Sequence, residues 1–271
     1  MTIDLASYFK RIGYSGNVTA HLDTLEALHL RHAESIPFEN LNPLLGWPVP
    51  LEVDSLQEKL IHSRRGGYCY EQNLLLKTVL EAVGFKVVGL AARVSWNTSP
   101  GVILPRTHML IRVDLDGHAY IADVGFGGLT LTAPLRLEAN AEQSTPHGQF
   151  RLKAQGDEFV LQAKLAGEWK SLYAFTLQEQ LLPDYEMANW YVSCHPQSRF
   201  VTRLIAARPS GDRRYALLNN EFAVHFLDGR TERRLLTKIS ELREVLEQQM
   251  GVHLPSAPEL DGLLQRFATS A

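Results

Sequence analysis

The sequence is poor in cysteine, with only Cys69 and Cys194 among its 271 residues. Two thiols cannot form the disulfide framework of a small secreted domain or a four-cysteine zinc site. No spacing of histidines and carboxylates resembles a metal-binding motif either. We therefore expect free thiols, no metal site and a cytoplasmic protein.

The sequence also lacks long apolar runs and an excess of basic residues. No run reaches the ~18 apolar residues of a membrane-spanning helix, and the segment Met1–Lys10 has no basic stretch followed by an apolar one, so we expect no signal peptide. Lys and Arg number 27 against 30 Asp and Glu, a net charge of −3. This balance gives no general attraction to nucleic acid or to an anionic membrane, so we expect neither as a partner.

What is present is a composition that can build a core, with 45% apolar and 21% charged residues. Helical spacing of apolar residues indicates helices in the first third, for example over Leu5–Gly13 and Leu75–Gly84, and Ser55 with Glu58 forms a capping-box pattern. After Gly84 the apolar residues alternate with period two, and turn residues separate the runs. Helices, then antiparallel strands, then a mixed region predict an α+β fold.

The clearest local signal is a hairpin. His108–Leu115 and His118–Val124 flank Asp116–Gly117, and an Asp-Gly pair between two alternating runs is typical of a tight turn. A two-residue loop puts His108 and Asp123 on one face as diagonal neighbours, within reach of a side-chain hydrogen bond. A three-residue loop would break this parity. The alternative is that Asp123 only caps the glycine turn that follows it.

Cys69 stands in an unusual segment. Two glycines, Gly66 and Gly67, precede it, two arginines lie just before them, and a helix pattern follows. The positive end of that helix and the arginines both favour a thiolate. The alternative is a buried structural cysteine, and this is how we interpret Cys194, which has neither feature. A nucleophilic thiol needs a base and an orienting group, and His108 and Asp123 are the candidates.

Several motifs together resemble the arylamine N-acetyltransferases of bacterial type, in that family's order and over nearly the whole chain. They are Pro37-Phe38-Glu39-Asn40-Leu41, Arg65-Gly66-Gly67-Tyr68-Cys69 with Glu71 and Asn73, Asp123-Val124-Gly125-Phe126-Gly127, and Trp190-Tyr191-Val192-Ser193 followed by His195-Pro196. The family's Cys-His-Asp triad falls on Cys69, His108 and Asp123.

The resemblance implies a fold of three domains. Residues 1–85 would be helical and carry the cysteine, residues 86–195 would form a β-barrel-like domain with the histidine and aspartate, and residues 196–271 an α/β C-terminal lid. It also implies no permanently bound cofactor and acetyl-CoA as co-substrate. The acetyl group would pass through Cys69 to a small aromatic amine or hydrazine. The sequence carries no signal for an oligomeric state.

Two further hypotheses concern the surroundings of Cys69. Phe38, Phe126 and Gly127 would bind the substrate, with the two rings forming an apolar wall; ordinary core packing of the rings is the alternative. Glu39 and Arg65 would form an ion pair that fixes the turn, and solvated surface roles are the alternative. Two rival functions use the same residues: a cysteine hydrolase or transglutaminase-like enzyme with the same triad, and a non-enzymatic binding module with an inert cysteine.

Overall fold

The computed structural model of the chain describes residues 2–99 and 101–268. Its helices lie mainly in the first and the last third of the sequence. They are α1 Leu5–Ile12, α2 Leu22–Ser35, α3 Leu41–Leu44, α4 Val53–Leu56, α5 Cys69–Val83, α6 Leu182–Cys194, α7 Arg199–Thr202, α8 Ile239–Glu244 and α9 Glu259–Ala268. A π-helical turn continues α4 over Gln57–His62, and another continues α8 over Val245–Gln249.

The strands form two antiparallel sheets. They are β1 Phe38–Glu39, β2 Lys86–Val94, β3 Arg106–Leu115, β4 His118–Ala122, β5 Leu135–Arg136, β6 Glu142–Thr145, β7 Gly148–Gln155, β8 Glu158–Leu165, β9 Glu168–Phe175, β10 Ile205–Ser210, β11 Arg213–Leu218, β12 Glu221–Phe226 and β13 Thr231–Leu235. One sheet has the order β5-β4-β3-β2-β9-β8-β7-β6, and the other has the order β1-β10-β11-β12-β13.

The eight-stranded sheet is almost closed into a barrel. Its two edge strands, β5 and β6, meet through Gln143, whose amide group exchanges two hydrogen bonds with the backbone of Arg136, at 2.7 and 2.9 Å. The interior is filled by fully buried side chains from alternate strand positions, among them Leu90, Leu110, Ile121, Phe150, Leu152, Leu161 and Tyr173. The predicted α+β fold with helices and a barrel-like sheet is confirmed.

Strand β3 joins this barrel to the helices. Its side chains alternate, so that Leu110 points into the barrel while Met109 and Ile111 pack with Leu76 and Val79 of α5. Each of these side chains is fully buried, and burying one such side chain contributes about 1.5–3 kcal/mol. Helix α5 is therefore fixed against the strand that carries His108.

One expectation about local structure was wrong, and two strands were missed. Helix α4 already begins at Val53, with Glu52 at its N-cap, so Ser55 lies inside the helix, and Glu58 accepts a hydrogen bond from Ser63 instead. Strands β10 and β13 were not predicted at all. The first contains Pro209, and the second is exposed throughout and rich in charge, so neither shows the apolar alternation on which the prediction depended.

The predicted domain boundaries stay a prediction, and contacts cross them. Strand β1, in the first predicted segment, pairs with β10 of the third, with Phe38 opposite Ala207. The phenol of Tyr68 donates a hydrogen bond to Asn189 of α6. Across residues 2–99 and 101–268, no helix has the length and apolar character needed to cross a membrane.

Candidate active site

Cys69 is the first residue of α5, and its side chain is only 3% exposed. Glu71, in the first turn of the same helix, accepts the N–H of Tyr68 at 3.1 Å and so caps the helix start. The sulfur lies 3.7 Å from the carbonyl oxygen of Thr107, immediately before His108. The thiol is thus at the positive end of the helix and beside strand β3.

A buried ion pair holds the turn that precedes Cys69. Arg65 Nη2 lies 2.8 Å from Glu39 Oε1, and Arg65 Nη1 donates to Asn42 at 2.7 Å. The second oxygen of Glu39 accepts the backbone N–H of Leu41 at 2.6 Å. Burial raises the pKa of Glu39, but the Arg65 guanidinium, the Lys59 charge and the Leu41 N–H together lower it on balance. The predicted pairing is confirmed, and the adjacent Arg64 is exposed.

The hairpin has the predicted register. Leu115 faces His118 and Ile111 faces Ala122, and the loop consists of Asp116 and Gly117 with φ angles of 49° and 77°, as a type I′ turn requires. Strand β4 ends at Ala122, which leaves the next residue free to turn toward β3.

The predicted contact between His108 and Asp123 is also present. His108 Nε2 lies 2.7 Å from Asp123 Oδ2, and both side chains are buried. The aspartate carboxylate accepts three further hydrogen bonds: from Tyr173 Oη to Oδ2 at 2.8 Å, and from Asn73 Nδ2 and the Gly125 N–H to Oδ1 at 2.9 Å each. Burial raises the pKa of Asp123, but His108 and these donors lower it on balance, so the carboxylate is ionised.

The Asp123 carboxylate stabilises the protonated, positively charged form of His108. Burial alone lowers the pKa of His108, but the Asp123 charge and hydrogen bond outweigh it, and a hydrogen bond with the Cys69 side chain adds to them, so the pKa rises to about 10. At neutral pH the ring is therefore an imidazolium beside a thiol. A neighbouring cation favours the thiolate form of a cysteine.

Sequence reasoning named Asn73 as part of a motif but assigned no role to it or to Tyr173, and both hold Asp123. Asn73 lies one turn after Cys69 on α5, and besides Asp123 it contacts the Val124 N–H and the Met109 carbonyl, at 3.0 and 2.7 Å. Its spacing from Cys69 could have predicted a position on the same helix face. Tyr173 comes from β9, and no sequence signal links that strand to this site.

His29 of α2 was also missed, and it supports Asp123 from behind. Its Nε2 accepts the backbone N–H of Asp123 at 3.2 Å. Burial lowers the pKa of His29 to about 3, so the ring is neutral and able to accept. The two buried histidines near Asp123 thus carry opposite protonation states, because only His108 faces the carboxylate.

The glycines after Asp123 permit close packing at the cysteine. A Cβ atom on Gly125 would lie 2.7 Å from the Cα of Cys69, so only glycine fits there. Gly127 has a φ angle of 88°, and a Cβ on it would lie 3.6 Å from the ring of Phe38. Phe126 is half-buried, with its ring centroid 5.2 Å from those of both His108 and Tyr173.

The other predicted ring and the second cysteine differ in their surroundings. Phe38 is 7% exposed and packs in the helical core, with Phe200 at 6.1 Å between ring centroids. The interpretation of Cys194 as a structural thiol was wrong, because its side chain is exposed at the last residue of α6. Among the residues that the structure describes, no group of three or more His, Cys, Asp or Glu could hold a metal ion.

Comparisons with known proteins agree on one family. A family model described as N-acetyltransferase matches residues 21–259. An arylamine N-acetyltransferase of Mycobacterium tuberculosis is 43% identical over 98% of this chain and 95% of its own length. The solved structure of the Mycobacterium smegmatis arylamine N-acetyltransferase superposes with a TM-score of 0.95 at 41% identity, over 98% of this chain and 99% of that one. The Mycobacterium marinum enzyme in complex with CoA gives 0.94 at 39% identity, over 97% and 99%.

Proposed function

The chain belongs to the arylamine N-acetyltransferase family, and on that premise we propose that it acetylates arylamines and arylhydrazines through an acetyl group carried on Cys69. The family supplies the reaction class, and the complex of the Mycobacterium marinum enzyme with CoA supports acetyl-CoA as the donor. The observation that carries the proposal is the 2.7 Å contact between His108 and Asp123 beside the thiol at the helix start.

In the first step the Cys69 thiolate attacks the carbonyl carbon of the acetyl-CoA thioester. A bond forms between the Cys69 sulfur and that carbon, and the bond from the carbon to the CoA sulfur breaks. The leaving CoA thiolate takes a proton from the His108 imidazolium, so CoA departs as a thiol. Exchange of an acetyl group between two sulfurs needs little energy, which suits a thiol nucleophile.

In the second step the amine nitrogen attacks the acetyl-cysteine. The new carbon–nitrogen bond forms as the carbon–sulfur bond breaks, and the now neutral His108 takes the proton that the amine loses. The proton transfer restores the imidazolium, and cleavage of the carbon–sulfur bond restores the Cys69 thiolate. Asp123 stays ionised throughout, keeps the ring oriented and stabilises its charged form.

The developing oxyanion needs a hydrogen-bond donor. Cys69 is the first residue of α5, so its own N–H is one of the first-turn donors that no helical carbonyl accepts. We assign this N–H as one oxyanion donor, at the positive end of the helix.

The acceptor would lie against Phe126. Its ring is half-buried and stands edge-on to His108 at an interplanar angle of 80°, and we expect its exposed part to face the approaching amine. Gly127 would form part of the same wall, and the Phe38 ring lies next to it, since a Cβ on Gly127 would be 3.6 Å from that ring. An aromatic amine can stack there at a gain of about 0.5–1.5 kcal/mol beyond area burial.

Intact-mass measurement tests this function. Wild-type protein incubated with acetyl-CoA should gain one acetyl group, peptide mapping should find it on Cys69, and an added arylamine should remove it. The Cys194→Ala variant is the control and should behave as wild type. Absence of the acetyl group from Cys69 would overturn the proposal. Loss of the acetyl group to water as fast as to the arylamine would point to a hydrolase instead.

A further inference from the structure

A buried arginine from the five-stranded sheet reaches two loops of the barrel. Arg214 of β11 is 5% exposed. Its Nη1 donates to the carbonyl oxygens of Gly128 and Thr130, at 3.3 and 3.0 Å, and its Nη2 and Nε donate to the carbonyl of His147, at 3.0 and 3.2 Å. One side chain thus ties the loop after Asp123 to the loop between β6 and β7.

Burying the Arg214 guanidinium costs free energy, because the cation loses its hydration. In the part of the chain that the structure describes, no carboxylate forms an ion pair with Arg214, and burial lowers its pKa to about 10. The guanidinium is still charged at neutral pH, and its charge is compensated only by backbone dipoles. Burying a cation in this way is expensive unless its hydrogen bonds are well made. Its four hydrogen bonds therefore fix the positions of the three carbonyls that accept them.

The loop that Arg214 holds is the one that carries Phe126. Thr130 closes it: its Oγ1 donates to the Asp123 carbonyl at 2.9 Å and accepts the Phe126 N–H at 3.3 Å. The Thr130 N–H donates to the carbonyl of Gly127 at 3.0 Å. Arg214 thus binds the carbonyl of Thr130, and the hydroxyl and N–H of the same residue hold the backbone of Phe126 and Gly127.

The Asp123 side chain has anchors of its own. Asn73, Tyr173 and Gly125 hold its carboxylate, and Arg214 donates to none of these three residues. Loosening Arg214 should therefore displace Phe126 while leaving the pair of His108 and Asp123 intact.

We propose that Arg214 is a positioning residue that sets the preference for aromatic acceptors, by fixing Phe126 through Thr130. The inference rests on the proposed function, because it assumes that Phe126 faces the acceptor. It assigns the five-stranded sheet a part in acceptor specificity, although β11 contributes no side chain to the pair of His108 and Asp123.

The test compares Arg214→Gln with Arg213→Gln. Arg213 is the neighbour on the same strand, pairs with Asp212 and lies over the ring of Phe226, so its substitution removes the same charge away from the loop. The readout is the ratio of kcat/KM for aniline to that for methylhydrazine. We expect Arg214→Gln to lower this ratio about five- to tenfold and Arg213→Gln to leave it unchanged. The pH dependence of Cys69 alkylation should stay as in wild type in both variants.

A double-mutant cycle separates positioning from general damage. In a Phe126→Ala background, Arg214→Gln should lower the ratio by no more than about twofold, because the ring it positions is gone. Arg214→Lys keeps the charge but presents a point donor instead of a fork, so it should lower the ratio about two- to threefold. If Arg214→Gln does not fold, the ratio of the Arg214→Lys variant tests the positioning role in its place.

An unchanged ratio in a folded Arg214 variant, or full additivity with Phe126→Ala, would overturn the inference. Failure of the wild type to acetylate Cys69 would instead overturn the proposed function on which it rests. A wild type that is acetylated while the Arg214 variants keep wild-type selectivity would remove this inference alone.

Discussion

Cys69 begins helix α5 and Cys194 ends helix α6, so the same side chain stands at opposite ends of two helices. Cys69 faces the positive end of a helix dipole, is buried, and its side chain helps to raise the pKa of His108. Cys194 faces a negative end, is exposed, and its sulfur lies 3.4 Å from the Ser193 hydroxyl. From this comparison we propose that partners and helix ends, and not exposure, decide which thiol acts as the nucleophile.

The helix end that carries Cys69 is held by two ion pairs. The turn before Cys69 is fixed by the ion pair of Arg65 with Glu39 and by that of Lys59 with Glu71, at 2.8 and 2.6 Å. Chain segments distant in sequence therefore converge on one thiol, which is the kind of support that a catalytic group needs.

Removing each thiol in turn should give the largest difference. Cys69→Ala should lower the rate of acetyl transfer by about 10⁶-fold, the scale seen when a nucleophile of a catalytic unit is lost. Cys194→Ala should keep most of the activity. Both variants should show the wild-type melting temperature, measured by circular dichroism. Substantial turnover by Cys69→Ala would mean that the two cysteines have been contrasted on the wrong grounds.

Removing the charge behind His108 should make Cys69 behave more like Cys194. Asp123→Asn keeps the shape of the side chain but no longer favours the imidazolium, so we expect a loss of activity of up to about 10⁴-fold. The rise of iodoacetamide alkylation at Cys69 should move to higher pH. Alkylation of Cys194 in the same protein is the internal control and should not move. A Cys69 profile that coincides with wild type would remove Asp123 from its orienting role.

Breaking the ion pair under the turn should cost stability. Glu39→Gln leaves Arg65 buried without its partner, which costs about 3–5 kcal/mol and should lower the melting temperature by several degrees. Glu81→Gln breaks the exposed pair with Lys77 on helix α5 and should cost less than about 1 kcal/mol. Equal shifts in the two variants would contradict a structural role for the buried pair.

The difference between Glu39→Gln and wild type should also depend on pH. The pKa of Glu39 is lowered in the folded protein. A carboxyl group of this kind adds stability above its unfolded pKa and loses it as the pH falls through its folded pKa. Urea unfolding should therefore show the full difference at pH 7 and a smaller one at pH values below about 4.

Truncating the ring beside His108 should have the smallest effect. Phe126→Ala should lower the preference for aniline over an aliphatic hydrazine about tenfold, while acetylation of Cys69 by acetyl-CoA changes less. The measurement is the ratio of kcat/KM values for the two acceptors. An unchanged ratio together with a large drop in melting temperature would make Phe126 a core residue.

Local patterns predicted the parts of the site that lie close together in sequence. The Asp-Gly turn determined the register that brings His108 near Asp123. With two residues in the loop, alternation along the strands places both side chains on the same face of the sheet. The glycine pair and the helix start predicted Cys69. For Glu39 and Arg65 the sequence left a buried ion pair and solvated surface roles as equal alternatives, and the structure shows the ion pair.

The remainder depended on tertiary packing. Tyr173 reaches Asp123 from β9 and His29 reaches it from α2, and no spacing or charge pattern joins those positions. Strand β13 has exposed, charged residues and exists because β12 pairs with it. Cys194 was misjudged because a chain position that lacks activating neighbours says nothing about burial.

The most direct measurement is the order in which iodoacetamide labels the two thiols of the native protein at pH 6, followed by peptide mass spectrometry. Exposure alone would have Cys194 react first, because Cys69 is 3% exposed. We predict instead that Cys69 reacts at least about tenfold faster, because a neighbouring imidazolium and a helix N-terminus favour its thiolate. Labelling of Cys194 before Cys69 would contradict the assignment of Cys69 as the nucleophile.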